Sequence, residues 1–80
     1  MKARIYVTLK NGVLDPQGKA VEHSLHDLGF DEVADVRQGK YLEVELSTKD
    51  KSKAEQDLDE MCKKLLANTV IENYRIELEG

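Results

Sequence analysis

The sequence has 80 residues, with 12 Lys and Arg against 16 Asp and Glu, and a formal net charge of −4. A chain of this length forms a single domain, residues 1–80, and buries only about 60–65% of the surface that its unfolded form exposes, so we expect it to be marginally stable as a monomer. The acidic balance argues against binding to nucleic acid, because that affinity comes from cationic side chains that neutralise phosphates.

Cysteine content and hydropathy bear on the compartment. Cys62 is the only cysteine, which excludes a disulfide within the chain and fits a reducing compartment. No apolar run approaches the roughly 18 residues of a membrane span, and MKARIYVTLK at the start lacks the apolar centre of a signal peptide. We therefore expect a cytoplasmic protein that does not contact a membrane.

The first predicted elements are a strand and a helix. ARIYVTLK (residues 3–10) alternates apolar and polar residues and indicates a half-buried strand. Asp15 is predicted as the N-cap of the helix and Pro16 as its first residue, where the missing N–H costs nothing. We expect Gly29 to end this helix in a left-handed conformation, with Phe30 folding back onto it. The apolar stripe of the helix consists of Ala20, Val21, Leu25 and Leu28.

The second half of the chain predicts a hairpin, a helix and a last strand. EVADVR (residues 32–37) and YLEVELS (residues 41–47) flank QGK, which is typical of two strands joined by a turn. Ser52 and Glu55 stand at capping-box spacing and predict the start of the second helix. We expect Asn68 to end it in a left-handed conformation, and VIENYRIELE (residues 70–79) to form the last strand. The buried stripe of this helix is Ala54, Leu58, Met61, Cys62 and Leu65.

The predicted order is therefore β-α-β-β-α-β. This order indicates a ferredoxin-like α+β fold, in which an antiparallel sheet carries both helices on one face.

Few side chains have the neighbours that a catalytic or metal-binding site requires. His23 and His26 lie three residues apart on the first helix, but two ligands do not make a metal site, and neighbouring charges indicate a solvated face. Cys62 lies on an apolar stripe without a base or cation to stabilise its thiolate. We predict no catalytic, cofactor-binding or metal-binding residue in this chain.

The open face of the predicted sheet has features of an RNA-binding surface and of a two-fold interface. Tyr6 and Tyr41 lie on the two strands that are central in this fold, where RNA readers place stacking aromatics, but Glu43 and Glu45 beside them repel phosphate. The same face suits a two-fold interface, because its arginines and glutamates are mixed in sign. The ion pairs expected across that interface join Arg4, Arg37 and Arg75 to Glu43, Glu45 and Glu77. The candidate self-association face is Tyr6, Tyr41, Ile71 and Arg75.

The loop before the first helix is a candidate docking site for a partner. LKNGVLDPQGKAVE (residues 9–22) holds the only proline and two of the five glycines. Gly12 serves a turn, whereas Gly18 in the first helical turn costs up to about 1 kcal/mol relative to alanine and indicates a close approach by the second strand region or by another subunit. A helix cap packed on its own core is an equally good interpretation. The candidate docking loop is Gly12, Val13, Leu14, Asp15 and Gly18.

Three long stretches resemble one known family. LKNGVLDPQGKAVEHSLHDLGF, VRQGKYLEVEL and MCKKLLANTVIENYRIEL are similar, in this order, to the PurS family of phosphoribosylformylglycinamidine synthase subunits. The similarity extends over nearly the whole chain. One departure is Thr69, where the family commonly has proline after LLAN.

The resemblance implies a subunit without catalytic residues. PurS-like chains, typically homodimers that can pair into homotetramers, join the ATP-dependent synthetase PurL to the glutaminase PurQ and support ammonia transfer during purine synthesis. It implies that ATP and Mg are used by the synthetase and not by this chain.

Two alternatives share the predicted fold. A regulatory module of the ACT type binds a small molecule and carries a glycine-bearing loop similar to NGVLD. A metal-carrying chaperone needs a Cys-x-x-Cys loop, which this sequence lacks.

Overall fold

The computed structural model describes residues 1–79 and contains three strands and two α-helices in that range. Strand β1 spans Lys2–Leu9, helix α1 Pro16–Asp27, strand β2 Gly39–Glu45, helix α2 Lys51–Met61 and strand β3 Glu72–Glu79. A short π-helical segment, Cys62–Leu66, extends α2. No helix within residues 1–79 is long and apolar enough to cross a membrane.

The sheet is antiparallel and has the order β2-β1-β3. Tyr6 in the central strand lies opposite Tyr41 of β2 and Arg75 of β3. Strand β2 is thus an edge strand, whereas we expected the strand that carries Tyr41 to be central. The predicted ferredoxin-like α+β class with an antiparallel sheet is confirmed.

The core lies between the sheet and α2. Alternation in β1 turns Ala3, Ile5 and Val7 to one face, where they are completely buried. Leu58 and Cys62 from α2 and its extension pack onto them. Complete burial of side chains such as Ile5 and Leu58 contributes about 1.5–3 kcal/mol each, so this small cluster is an important source of the stability of the fold.

The ends of α2 differ from the predicted ones. Its N-cap is Asp50, whose Oδ1 accepts from the Lys53 N–H at 3.2 Å, and not Ser52. Asn68 is not left-handed, because within residues 1–79 only glycines have positive φ. Instead Asn68 holds the turn into β3: its N–H donates to Glu72 Oε1 at 2.7 Å, and its Oδ1 accepts from the Val70 N–H at 3.2 Å.

The strand predicted over residues 32–37 does not form. This segment has no strand partner, and it runs back along α1. His26 Nε2 lies 2.7 Å from the Val33 carbonyl oxygen, and Val36 passes beside Gly18. The alternating residues of EVADVR therefore pack against a helix in this protomer. As a result, the outer edge of β2 stays unpaired.

Helix α1 projects beyond the sheet. None of its side chains belongs to the core cluster, and the protomer measures 49 × 26 × 14 Å. Its radius of gyration is 16.0 Å, whereas a compact chain of this length has about 11.6 Å. A strand of eight residues spans about 27 Å and a helix of twelve about 18 Å, so the two lie nearly end to end. Only α2 covers the sheet of its own protomer, against the expectation that both helices do.

Replacement of Cys62 tests the core. The side chain is completely buried, and burial raises the pKa of its thiol. Cys62→Ser should lower the free energy of unfolding by about 1–2 kcal/mol, because it places a hydroxyl in an apolar site. Urea denaturation followed by circular dichroism measures this loss. Rapid alkylation of the native thiol by a maleimide would contradict the burial.

Candidate functional site

The base of α1 is held by a buried carboxylate. Asp15 is only 6% exposed and caps the helix as predicted, with its Oδ1 accepting from the Gly18 N–H at 2.8 Å. Its Oδ2 accepts from the Gln38 N–H at 2.7 Å, which ties the helix to the residue before β2. One side chain therefore joins two segments that lie 23 residues apart in sequence.

The electrostatics of this carboxylate favour its charged form. The N–H of Gln38 contributes most to lowering the pKa of Asp15, followed by the N–H of Gly18, and the Arg37 guanidinium adds to them. Hydrogen bonds to a carboxylate stabilise the anion, which outweighs the opposing effect of burial here. We therefore expect Asp15 to be ionised throughout the neutral range.

Arg37 also joins the segment before β2 to the loop before α1. Its Nη2 donates to the carbonyl oxygens of Leu9 at 3.2 Å and Lys10 at 3.1 Å, and its Nη1 to that of Val13 at 3.5 Å. The guanidinium thus satisfies the carbonyls of the loop between β1 and α1. We name Asp15, Gly18, Arg37 and Gln38 the α1 clamp.

Glycine is required at the two positions of the loop for different reasons. Gly12 has φ of +86°, which confirms its place in a turn that needs a left-handed residue. At Gly18 a Cβ would lie 2.3 Å from the Val36 carbonyl oxygen and 2.6 Å from Asp15 Oδ2. The close approach expected at Gly18 is therefore made by this chain itself. A bulky residue there would disrupt the α1 clamp, so it cannot serve to probe docking alone.

The remaining loop residues line an open cavity at the end of the sheet. It has a volume of about 480 Å³, and its apolar wall is formed by Leu9, Val13, Leu14 and Ile71. Leu14 is 73% exposed although it adjoins the buried Asp15. Ile71, which we expected on the self-association face, thus lies beside the docking loop. An exposed leucine on a rigid loop is suited to contact a partner.

The outer sheet face brings together the other three predicted self-association residues. The rings of Tyr6 and Tyr41 have centroids 5.1 Å apart, and the Arg75 guanidinium lies 4.2 Å above the Tyr6 ring. The Tyr6 hydroxyl donates to Glu77 at 2.9 Å and the Tyr41 hydroxyl to Glu43 at 2.8 Å. The three side chains form one cation–π and aromatic cluster on the open face.

The charges on this face are already paired within the protomer. Arg4 lies 2.6 Å from Glu79, and Arg75 lies 2.5 Å from Glu77. Arg37 belongs to the α1 clamp and not to this face, which corrects the expected set of interface ion pairs. A second copy would gain little Coulomb energy here, because each cation has an anion at hand.

The two histidines of α1 contact different groups. His23 Nε2 is 3.5 Å from Asp27, whereas His26 contacts the Val33 carbonyl. Within residues 1–79, no three His, Cys, Asp or Glu side chains are grouped so that they could hold a metal ion.

Sequence reasoning missed the partners of Asp15. Arg37 and Gln38 were assigned to a strand and a hairpin turn, yet both bind the loop before α1. The only signal in the sequence was the cost of glycine at position 18, which indicated a close neighbour but not its identity.

Comparison with known proteins gives consistent results. Residues 2–80 match the family model PurS: Phosphoribosylformylglycinamidine (FGAM) synthase. The PurS subunit of this synthase from Bacillus subtilis is 55% identical in an alignment of 82 positions, which covers 98% of this chain and 92% of that protein. A solved structure of B. subtilis PurS superposes with a TM-score of 0.90 at 53% identity, covering 99% of this chain and 98% of that one.

A further similar structure is a complex. A chain in the structure of PurLQS from Thermotoga maritima matches with a TM-score of 0.86 at 32% identity, covering 95% of this chain and 93% of that chain.

The role of Asp15 predicts a pH-dependent loss of stability. Because its pKa is lower in the folded protein, its contribution is present above the unfolded pKa of about 3.9 and is lost as the pH falls towards the folded value. The loss of free energy of unfolding in Asp15→Asn should therefore be largest near pH 7 and shrink towards pH 3. Guanidinium denaturation of both proteins at several pH values measures it.

A matched control is Asp31→Asn, in the exposed turn after α1. It should stay within about 0.5 kcal/mol of the parent protein at pH 7. If the free energies of unfolding of Asp15→Asn and the parent protein differ by the same amount from pH 7 to pH 3, the ionised carboxylate of Asp15 does not stabilise the α1 clamp.

Proposed function

The chain belongs to the PurS family of phosphoribosylformylglycinamidine synthase, and from this premise we propose that it is a non-catalytic subunit joining a PurL-type synthetase to a PurQ-type glutaminase. In this role it supports the transfer of ammonia from the glutaminase to the synthetase in purine biosynthesis. The proposal depends on one observation above all: the chain matches the T. maritima PurLQS structure over almost its whole length.

The geometry of the docking loop supports such a role. Leu14 and Val13 border an open apolar cavity, and the α1 clamp fixes the backbone around them. A loop that is rigid before binding loses little conformational entropy when a partner covers it. The same rigidity keeps Leu14 exposed, where it can insert into a pocket of another subunit.

The disposition of reactive groups supports a non-catalytic role. The Cys62 thiol is completely buried, and burial raises its pKa, which opposes the thiolate that a nucleophile needs. The carboxylates on the outer face are engaged by arginines and tyrosines. We propose that ATP and Mg are bound by the synthetase subunit, and that this chain binds no cofactor.

Self-association belongs to the same proposal. The chain forms a homodimer, and two dimers can pair into a homotetramer through the outer face around Tyr6, Tyr41 and Arg75. That face has exposed aromatic side chains, but none of its described cations is unpaired. We therefore assign it to the contact between dimers, which is the weaker of the two.

The experiment that tests the proposed function compares two nitrogen sources. With a PurL-type synthetase and a PurQ-type glutaminase from the same source, omission of this chain should abolish most of the glutamine-dependent amidine formation. It should affect the ammonia-dependent reaction much less, because free ammonia at high concentration replaces local delivery. The rate of product formation is measured with glutamine and with ammonia, each in the presence and in the absence of this chain. Equal glutamine-dependent rates with and without the chain would refute the subunit role and support a regulatory module of the ACT type.

A single substitution localises the docking. Leu14→Arg should reproduce the omission in the glutamine-dependent assay while circular dichroism stays unchanged, because Leu14 is exposed. Gln56→Arg on the exposed side of α2 adds the same charge and should leave the rate unchanged. A Leu14→Arg protein of full activity would show that partners dock elsewhere.

A further inference from the structure

Strand β3 forms the edge of the sheet opposite β2, and the backbone of this edge is open within residues 1–79. Immediately before the strand, the Lys10 N–H donates to the Ile71 carbonyl oxygen at 2.8 Å. Because hydrogen-bonded pairs alternate along antiparallel strands, every second residue of β3 turns its N–H and C=O away from β1. From the third residue of the strand onwards, these are Tyr74, Ile76 and Leu78.

This edge lacks the features that usually block the addition of a strand. Each residue from Glu72 to Glu79 lies opposite one residue of β1, so β3 has no bulge. The strand contains neither proline nor lysine. Its eight residues span about 27 Å. A long and regular edge of this kind is a template for pairing with another strand.

The charges of β3 are complementary to themselves. Arg75 and Glu77 lie on the exposed face, one on either side of Ile76. If two copies of β3 run antiparallel with Ile76 opposite Ile76, Arg75 of each copy lies opposite Glu77 of the other. A two-fold axis at Arg75 would set two arginines opposite each other, and an axis at Glu77 two glutamates. Since like charges directly opposite each other destabilise a strand pair, the charges select the register centred on Ile76.

The selected register also satisfies the open backbone. It sets Ile76 opposite Ile76 and Tyr74 opposite Leu78, so residues whose N–H and C=O groups point outward face one another. Main-chain hydrogen bonds therefore supply the attraction. Arg75 and Glu77 already lie 2.5 Å apart within the protomer, and their contribution is the choice of register and not added affinity.

The other side of β3 provides apolar contacts for the same pairing. Tyr74, Ile76 and Leu78 are partly buried and pack against the core. An open cavity of about 230 Å³ lies along the edge, between Ile76 and Leu78 of the strand and Lys51 and Glu55 of α2. In the selected register, Tyr74 of a second copy lies opposite Leu78 and beside this cavity. Apolar pairs across neighbouring strands stabilise a sheet.

Strand β2, the other edge, has no such match. Its only cation, Lys40, lies opposite the buried Val7, on the helix-covered side of the sheet. Its two carboxylates, Glu43 and Glu45, lie on the outer face. Two antiparallel copies of β2 therefore cannot set a cation opposite an anion, which distinguishes this edge from β3.

We propose that β3 of one copy pairs antiparallel with β3 of a second copy, about a two-fold axis at Ile76. The same surface is used on both copies, so the contact is closed and joins their two sheets into one. The two outer faces then lie side by side, with Tyr6 and Tyr41 exposed, and the contact is separate from the one proposed above for the outer face. Its test needs neither the synthetase nor the glutaminase, and its failure leaves the proposed subunit role intact.

Charge reversal tests the register in sedimentation velocity over a concentration series. Glu77→Arg and Arg75→Glu should each halve the mass of the largest assembly and raise the dissociation constant of the contact at least about tenfold, because each sets like charges opposite each other twice. An equal mixture of the two variants should restore the mass, since the arginines of one chain then meet the glutamates of the other. The double variant Arg75→Glu/Glu77→Arg should restore it as well.

Gln56→Arg, on the exposed side of α2, is the control and should leave the mass unchanged. A parent protein whose mass responds to neither reversal would overturn the proposal. Reversal variants that stay apart when mixed would also overturn it, because their charges would then act within the protomer. A mass that is halved by Tyr41→Glu but not by Glu77→Arg would assign the association to the outer face instead.

Disulfide formation provides a second measurement that keeps the backbone contact. Arg75→Cys and Glu77→Cys proteins, mixed under mild oxidation, should give a linked product with one chain of each, because their Cα atoms lie roughly 4.5 Å apart in the selected register. Asn73→Cys alone should give none, since its two copies lie about 20 Å apart along the strands. The buried Cys62 should not react. Equal yields from the mixture and from Asn73→Cys would refute the pairing.

Discussion

The carboxylate of Asp15 determines the direction of α1 and of the segment that follows it. It caps α1 through Gly18 and at the same time receives the N–H of Gln38, so the helix and the segment that follows it leave the sheet as one rigid unit. Arg37 reinforces the junction by donating to the carbonyl oxygens of Leu9, Lys10 and Val13. The exposed apolar residues of α1 and the elongated shape of the protomer both follow from this one direction.

The same constraint explains how a small core suffices. The cluster around Ile5, Val7 and Leu58 is completed by only one helix, and the net stability of a domain is a small difference between large terms. Self-association of the kind proposed above would add buried apolar area to each protomer without lengthening the chain. Folding and assembly would then be coupled, and the stability of the proposed homodimer would depend on protein concentration.

Local signals in the sequence predicted local structure well. Asp15 with Pro16 fixed the start of α1, and Gly29 with Phe30 its end, where the Phe30 N–H donates to the Leu25 carbonyl and the Gly29 N–H to that of His26. These motifs need only neighbours in the chain. The strand expected over residues 32–37 failed because a strand needs a partner, and alternation does not say which surface supplies it. Arg37 and Gln38 bind residues more than 20 positions away, so no pattern in their own neighbourhood could assign them to the site.

The unpaired outer edge of β2 has a consequence for the newly synthesised chain. A free edge presents a row of backbone donors and acceptors to any passing strand, and it is the usual starting point of disordered aggregation. In β2 the residues that interrupt this template are charged: Lys40, Glu43 and Glu45. A strand that pairs with this edge must partly dehydrate these charges, so the side chains act as gatekeepers. While the chain folds, they disfavour pairing of this edge with a strand of another chain.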